Sequence, residues 1–155
     1  MLETAARFFA DSDWPFEQAA DRPLLKLEFD GENATFTCYA RAIVEKDAFV
    51  FYAIFPEAVP VERRQAVAEL LTRLNYALTI GNFELDFEDG EVRYRASVDV
   101  EETELTPELI KPLAAAAVLN MDYYLPGIRA VANAESTPLE AFAALEGTQS
   151  ELPER

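Results

Sequence analysis

The chain has 155 residues, enough for one domain that buries about 70% of its unfolded surface without a metal or disulfide. Half of the residues are hydrophobic and 12% are aromatic, which excludes a wholly disordered chain. Twenty-nine acids against 13 bases leave a net charge of −16, a field that repels phosphate backbones and anionic lipid, so nucleic acid and membrane surfaces are set aside as partners.

In chain order, residues 3 to 11 predict a short helix with Ala6, Phe9 and Ala10 on one face. Pro15 then stops it by pushing Trp14 out of helical geometry. Leu25, Leu27 and Phe29 alternate with Lys26 and Glu28, a half-buried strand ending at the turn Asp30-Gly31-Glu32-Asn33. A second strand is predicted from Thr35 to Val44 and a third from Ala48 to Phe55, joined by Glu45-Lys46-Asp47 in an antiparallel meander. Pro56 and Pro60 open a helix from Val61 to Leu78, with Val67, Leu70, Leu71, Leu74 and Leu78 at helical spacing.

Strict alternation resumes at Phe83-Glu84-Leu85-Asp86-Phe87, and Asp89-Gly90 reads as a two-residue hairpin turn with both residues at positive φ. That turn sets Asp86 opposite Arg93, Glu84 opposite Arg95 and Leu85 opposite Tyr94. Thr106-Pro107-Glu108 caps a long helix whose apolar stripe is Ile110, Leu113, Ala117, Met121, Tyr124, Ile128 and Val131. Pro126-Gly127 is expected to bend or break it. Thr137 to Glu140 starts a short final helix with a capping box. The domain is expected over residues 1–146, with a flexible tail over 147–155.

Chemistry is scarce. With no histidine there are no Ser–His–Asp triads, Cys–His dyads or imidazole ligands. Cys38 lies mid-strand with nothing to activate it and reads as a structural thiol. Asp86, Glu88, Asp89 and Glu91 surround a glycine but lack the spacing of a calcium loop, and read as a solvated strand face. The five glycines are scattered, so no phosphate-binding loop forms. No catalytic residue, metal or cofactor is therefore expected, and the protein is read as no enzyme. Arg63, Arg64 and Arg73 on the second helix, with Arg93 and Arg95 on the last strand, either pair with nearby acids or form a docking face for a protein partner. Trp14 and Phe16 form a flap over the core or a contact site; the flap is preferred, because aromatics in such loops cover apolar ground.

One cysteine cannot form an internal disulfide, which suits a reducing compartment. The opening residues carry Glu3 where a signal peptide has a basic patch. The longest uncharged runs, Leu74 to Phe83 and Pro112 to Met121, have ten residues each, against about 18 or more for a bilayer span. A cytoplasmic protein is expected.

The stretch Leu74-Asn75-Tyr76, Ile80-Gly81-Asn82-Phe83-Glu84-Leu85-Asp86, Asp89-Gly90 and Val92-Arg93-Tyr94-Arg95 resembles the YbjN-domain family of bacterial sensory transduction regulators. Phe49-Val50-Phe51-Tyr52 and Asp122-Tyr123-Tyr124-Leu125-Pro126 fit it as well. Trp14-Pro15-Phe16 and Phe36-Thr37-Cys38-Tyr39-Ala40 resemble its cyanobacterial branch. The family motif positions are Asn75, Gly81, Asn82, Phe83, Asp86, Gly90, Tyr94, Tyr124 and Pro126, with Gly81 and Gly90 as turn residues and no catalytic residue to carry over. The resemblance implies an α+β fold like that of type III secretion chaperones, a curved antiparallel sheet with packed helices.

The element pattern specifies five strands in the order α-β-β-β-α-β-β-α. Two functions follow: a non-enzymatic chaperone-like adaptor or regulator that binds a protein partner, or a small-molecule binder or carboxylate enzyme at the mouth of the sheet. A shallow groove would favour the first and a deep apolar pocket the second. A homodimer through the second helix or the strand from Phe83 to Phe87 is a further expectation.

Overall fold

The computed structural model describes residues 1–149 and shows an α+β architecture. In chain order the elements are α1 (Leu2–Asp11), β1 (Phe16–Gln18), β2 (Leu24–Asp30), β3 (Thr35–Ile43), β4 (Ala48–Ile54), α2 (Arg64–Asn75), β5 (Asn82–Leu85), β6 (Val92–Asp99), α3 (Pro107–Ala132) and α4 (Pro138–Gln149). The strands form one antiparallel sheet in the order β1-β2-β3-β4-β6-β5. Among the described residues the sheet therefore has six strands rather than five. The extra one is β1, whose Phe16 pairs with Leu27, and three residues are too few for alternation to show in a sequence. The short final helix expected from Thr137 is α4, which follows α3, so the order is α-β-β-β-β-α-β-β-α-α.

One face of the sheet carries the core. Leu25, Leu27, Cys38, Ala40, Phe49, Phe51, Ala53, Val92, Tyr94 and Ala96 are buried there beneath α3, with α1 over the β1–β3 side and α2 over β5. The predicted stripe of α3 is buried at every position from Ile110 to Val131. In α1 the buried pair is Ala5 and Phe9, one turn apart, while Ala10 is exposed. Trp14 packs its ring on Phe9, Phe29 and Phe51 at 5.3 to 5.9 Å and donates Nε1–H to the Glu28 carbonyl at 2.7 Å. The Trp14 loop is a flap over the core.

The long helix α3 runs unbroken through Pro126. Pro126 has no N–H, which leaves the Asp122 carbonyl one turn back without its helical donor. Asn33 fills that gap, donating its side-chain N–H to the Asp122 carbonyl at 2.9 Å. The Asp122 carboxylate in turn accepts the backbone N–H of Glu32 and of Asn33, each at 2.9 Å. The β2–β3 turn is thus latched to the helix at the point where proline weakens it. Asp122→Ala is expected to cost about 1–2 kcal/mol, since two charge-assisted bonds go from a solvent-exposed site. Hydrogen exchange should report it locally: the Glu32 and Asn33 amides should exchange faster while those of β4 hold, and unchanged turn amides would refute the latch.

The final helix begins with the expected capping box. Glu140 N–H donates to Thr137 Oγ1 at 3.2 Å, and Thr137 N–H donates back to the Glu140 carboxylate at 2.9 Å. These backbone and hydroxyl donors hold the Glu140 carboxyl below its ordinary range. The helix continues through Gln149, and the remainder of the expected tail, 150–155, lies outside the described residues.

Candidate functional site

The β5–β6 hairpin shows how this sheet positions polar side chains. Its register places Asn82 opposite Arg95, Phe83 opposite Tyr94, Glu84 opposite Arg93 and Leu85 opposite Val92. The expected Asp86–Arg93 and Glu84–Arg95 pairs are therefore displaced by two residues, which keeps every side chain on its face. The cause is the turn. Asp86 Oδ1 accepts the Glu88 N–H at 2.8 Å, the Gly90 N–H bonds the Asp86 carbonyl at 2.8 Å, and Asp86 N–H reaches the Glu91 carbonyl at 2.9 Å. Phe87 to Gly90 thus form a four-residue loop in which Gly90 has positive φ and Asp89 does not. Glu84 then lies between two arginines, at 2.7 Å from Arg93 and 2.9 Å from Arg95.

The remaining motif residues build this corner. Asn75 at the end of α2 accepts the Phe83 N–H at 2.7 Å and donates to the Phe83 carbonyl at 3.0 Å. Its amide does for β5 what a further strand would do, and the outer edge of the sheet is capped there. Asn82 donates to the same carbonyl at 3.1 Å. Tyr94 is buried, donates its hydroxyl to the Ile80 carbonyl and accepts from Asn120 at 3.0 Å. Desolvation raises the Tyr94 phenol above its ordinary range, against the Asn120 bond, so it stays a donor. Gly81 has φ +79, and a Cβ there would lie 2.5 Å from the Arg95 carbonyl. The rings of Phe83, Tyr94 and Tyr124 pack edge to face. Asn75 and Asn82 are structural.

The five candidate arginines divide. Arg63, expected on the second helix, lies in the 3-10 turn Val61–Arg63 just before α2 and donates to the Val131 carbonyl at 2.9 Å, tying that turn to α3. Arg64 donates to the carbonyls of Val59, Phe87 and Glu88, tying the start of α2 to the hairpin loop. Arg73 pairs with Glu69 along α2. Backbone carbonyls rather than acids thus hold Arg63 and Arg64. Of these five, only Arg93 and Arg95 stand on the open face of the sheet. Burial alone would lower the Arg93 guanidinium, but the Glu84 hydrogen bond and charge outweigh it and raise it instead.

The surfaces expected to carry a homodimer are largely occupied within the monomer. The α2 stripe of Val67, Leu70, Leu71 and Leu74 is buried, and the β5 edge is capped by Asn75. The opposite edge, β1, has three residues.

What stays uncovered is the face of the sheet opposite the helices. Its central row runs Lys26, Tyr39, Tyr52, Arg95 and Asn82 across β2, β3, β4, β6 and β5, beside a row holding Thr37, Ile54 and Arg93. At its centre is an open cleft of ≈ 370 Å³ lined by Arg22, Leu24, Tyr39, Arg41, Tyr52 and Ile54, with Glu91 and Arg93 at one end. The Arg93 guanidinium sits 4.5 Å over the Tyr52 ring. Arg22 and Arg41 are exposed, and their side chains make no ion pair or hydrogen bond among the described residues. Sequence reasoning passed over both. The outward period-two positions of β3 and β4 carried a signal for Tyr39, Arg41, Tyr52 and Ile54, but their meeting with Arg93 depends on β4 pairing with β6.

Other chemistry is absent from the described residues. Burial pushes the Cys38 thiol far up, away from the thiolate. No three acids or thiols converge to hold a metal ion, and no helix is long and apolar enough to cross a membrane.

The geometry defines a class of protein: a single antiparallel sheet, helices packed on one side and an aromatic, arginine-bearing face open on the other. The YbjN family description, "Putative bacterial sensory transduction regulator", matches residues 2–130, and the chain belongs to this family. The crystal structure of YbjN, "a putative transcription regulator from E. coli", is similar with a TM-score of 0.64 at 17% identity, covering 86% of this chain and 93% of that one. The crystal structure of the ExsC-ExsE complex includes a chain that is similar with a TM-score of 0.54 at 16% identity, covering 81% of this chain and 90% of that one. No curated protein sequence matches significantly. The family description names a regulator, and the two solved structures share this chain's fold.

Proposed function

We propose that this protein is a non-enzymatic, chaperone-like adaptor or regulator that works by holding a polypeptide partner on the open face of its sheet. The observation that carries the reading is that face itself: Tyr39, Tyr52 and Ile54 left half-exposed around a cleft, with the Arg22 and Arg41 side chains beside them unpaired among the described residues. Antiparallel sheets are often solvated on one side, but such faces are polar. Tyrosine and arginine are among the residue types enriched in protein interfaces, and here two tyrosines and an isoleucine are flanked by arginines. Recognition by strand addition is disfavoured, because one edge is three residues long and the other is capped by Asn75. A small-molecule site would enclose its ligand in an apolar cavity, and the clefts here are open to solvent. The likeness to a protein solved in the ExsC-ExsE complex supports the same reading.

The test is capture from native cells with the full chain and with Tyr52→Ala as bait, followed by reconstitution with purified components. A polypeptide that binds the full chain directly, and binds the variant at least about tenfold more weakly, is the expected outcome. A partner held equally by both would refute the face.

A further inference from the structure

The chain carries 29 acids against 13 bases, yet the cleft on the open face reverses that balance. Arg22, Arg41 and Arg93 line it against one acid, Glu91. Arg93 is engaged with Glu84, while the Arg22 and Arg41 side chains have no partner among the described residues. A solvated face on so acidic a protein needs no unpaired guanidinium groups next to half-exposed tyrosines. A guanidinium presents a planar fork suited to a carboxylate, so each free arginine marks a place where an acidic side chain can dock. Between them, Tyr39, Tyr52 and Ile54 offer an apolar floor of ring faces and a branched side chain.

We propose that the cleft takes an acidic polypeptide segment, with one apolar side chain seated among Tyr39, Tyr52 and Ile54 and flanking carboxylates paired to Arg22 and Arg41. The proposal rests on the protein-binding reading and specifies the chemistry of the partner. The field of the whole molecule opposes it: at −16 the protein repels acidic chains in general. Only a segment whose charges match these arginines locally overcomes that repulsion. The arrangement therefore gives selectivity, because an acidic chain lacking the apolar anchor is turned away.

The experiment uses the full chain and fluorescein-labelled twelve-residue peptides in anisotropy titrations. One peptide carries a central leucine flanked by glutamates; a second replaces each glutamate with glutamine, and a third replaces the leucine with serine. The expected result is binding of the first peptide, at least about tenfold tighter than either of the others. The paired variant Arg22→Glu with Arg41→Glu should lose at least about tenfold for the first peptide and little for the second. Because that variant also makes the molecule more negative, Arg7→Glu with Lys111→Glu serves as the control of equal charge change, on helices packed against the opposite face. The control should bind within about twofold of the parent. Arg22 and Arg41 hold no other group in place, so their reversal should leave the melting temperature near that of the parent.

Equal binding of the glutamate and glutamine peptides overturns the proposal, as does equal loss in the two double variants or no binding of any peptide at millimolar concentration. A dimer in sedimentation that the Arg22 and Arg41 reversal converts to monomer overturns it as well, since the occupant would then be a second copy. A captured partner that depends on Tyr52 but not on the two arginines would sink this chemistry and leave the protein-binding reading standing.

Discussion

Replacing Gly90 with valine is expected to destabilise the protein by about 3–5 kcal/mol, read as a shift of the urea unfolding midpoint. Two effects combine. Gly90 has φ +80, a region that a β-branched residue resists. A Cβ there would also lie 2.3 Å from the Val59 carbonyl oxygen and 3.0 Å from Arg64 Nε. The Gly90 carbonyl accepts the Val59 N–H at 2.9 Å, and Arg64 bonds Val59, Phe87 and Glu88 around it. Relieving the overlap therefore means moving backbone that joins the hairpin loop to the start of α2. Gly90→Asn separates the two causes, because asparagine tolerates positive φ but still carries a Cβ. If the close approach matters, Gly90→Asn should also lose at least about 2 kcal/mol. A loss under about 0.5 kcal/mol would show that φ alone makes the glycine necessary.

Asn75→Ala is expected to cost about 1–3 kcal/mol, since it leaves the Phe83 N–H without its partner and the Phe83 carbonyl with Asn82 alone, on a part-buried sheet edge. Asn75→Asp is the sharper test. Its carboxylate still accepts the Phe83 N–H, but its second oxygen then faces the Phe83 carbonyl, so two acceptors oppose each other. Protonation would restore a donor at that position. The aspartate in the folded protein would thus bind its proton more tightly than in the unfolded chain, and its handicap relative to the parent should shrink as the pH falls. A handicap independent of pH between about 4 and 7 would argue against the strand-like pairing. Equal stability of all three proteins would remove Asn75 from the account of the edge.

These two sites show why the motif residues resisted interpretation in sequence. Asn75 and Phe83 are eight positions apart, in different kinds of element, and nothing in either pattern announces that a side-chain amide stands in for a strand. Asp86 looked like a member of a cross-strand charge pair because it alternates with Leu85 and Phe87. Its carboxylate instead closes the turn by accepting the Glu88 N–H, which lengthens the loop and moves the register by two. Glu84 inherits both arginines. Each pair is part-exposed and worth about 1 kcal/mol or less, so the turn chemistry rather than the charges sets the register.

By itself the sequence determined the α+β class, the main strands from period-two alternation, the buried stripe of α3 and the capping box at Thr137–Glu140. All of these depend on neighbours within a few residues, where periodicity and capping geometry act. It also excluded histidine chemistry, by composition. Only the tertiary structure decided the rest. The pairing of β4 with β6 brings Arg93 over Tyr52, 41 residues apart in the chain, and the packing of every long helix on one side leaves the opposite face bare. Asn33 could rescue the carbonyl freed by Pro126 only because the β2–β3 turn lands there, 89 residues from Asp122. Long-range juxtaposition of this kind carries no local periodic signal, so the open face with Arg22 and Arg41 beside its tyrosines became visible only once the sheet was assembled.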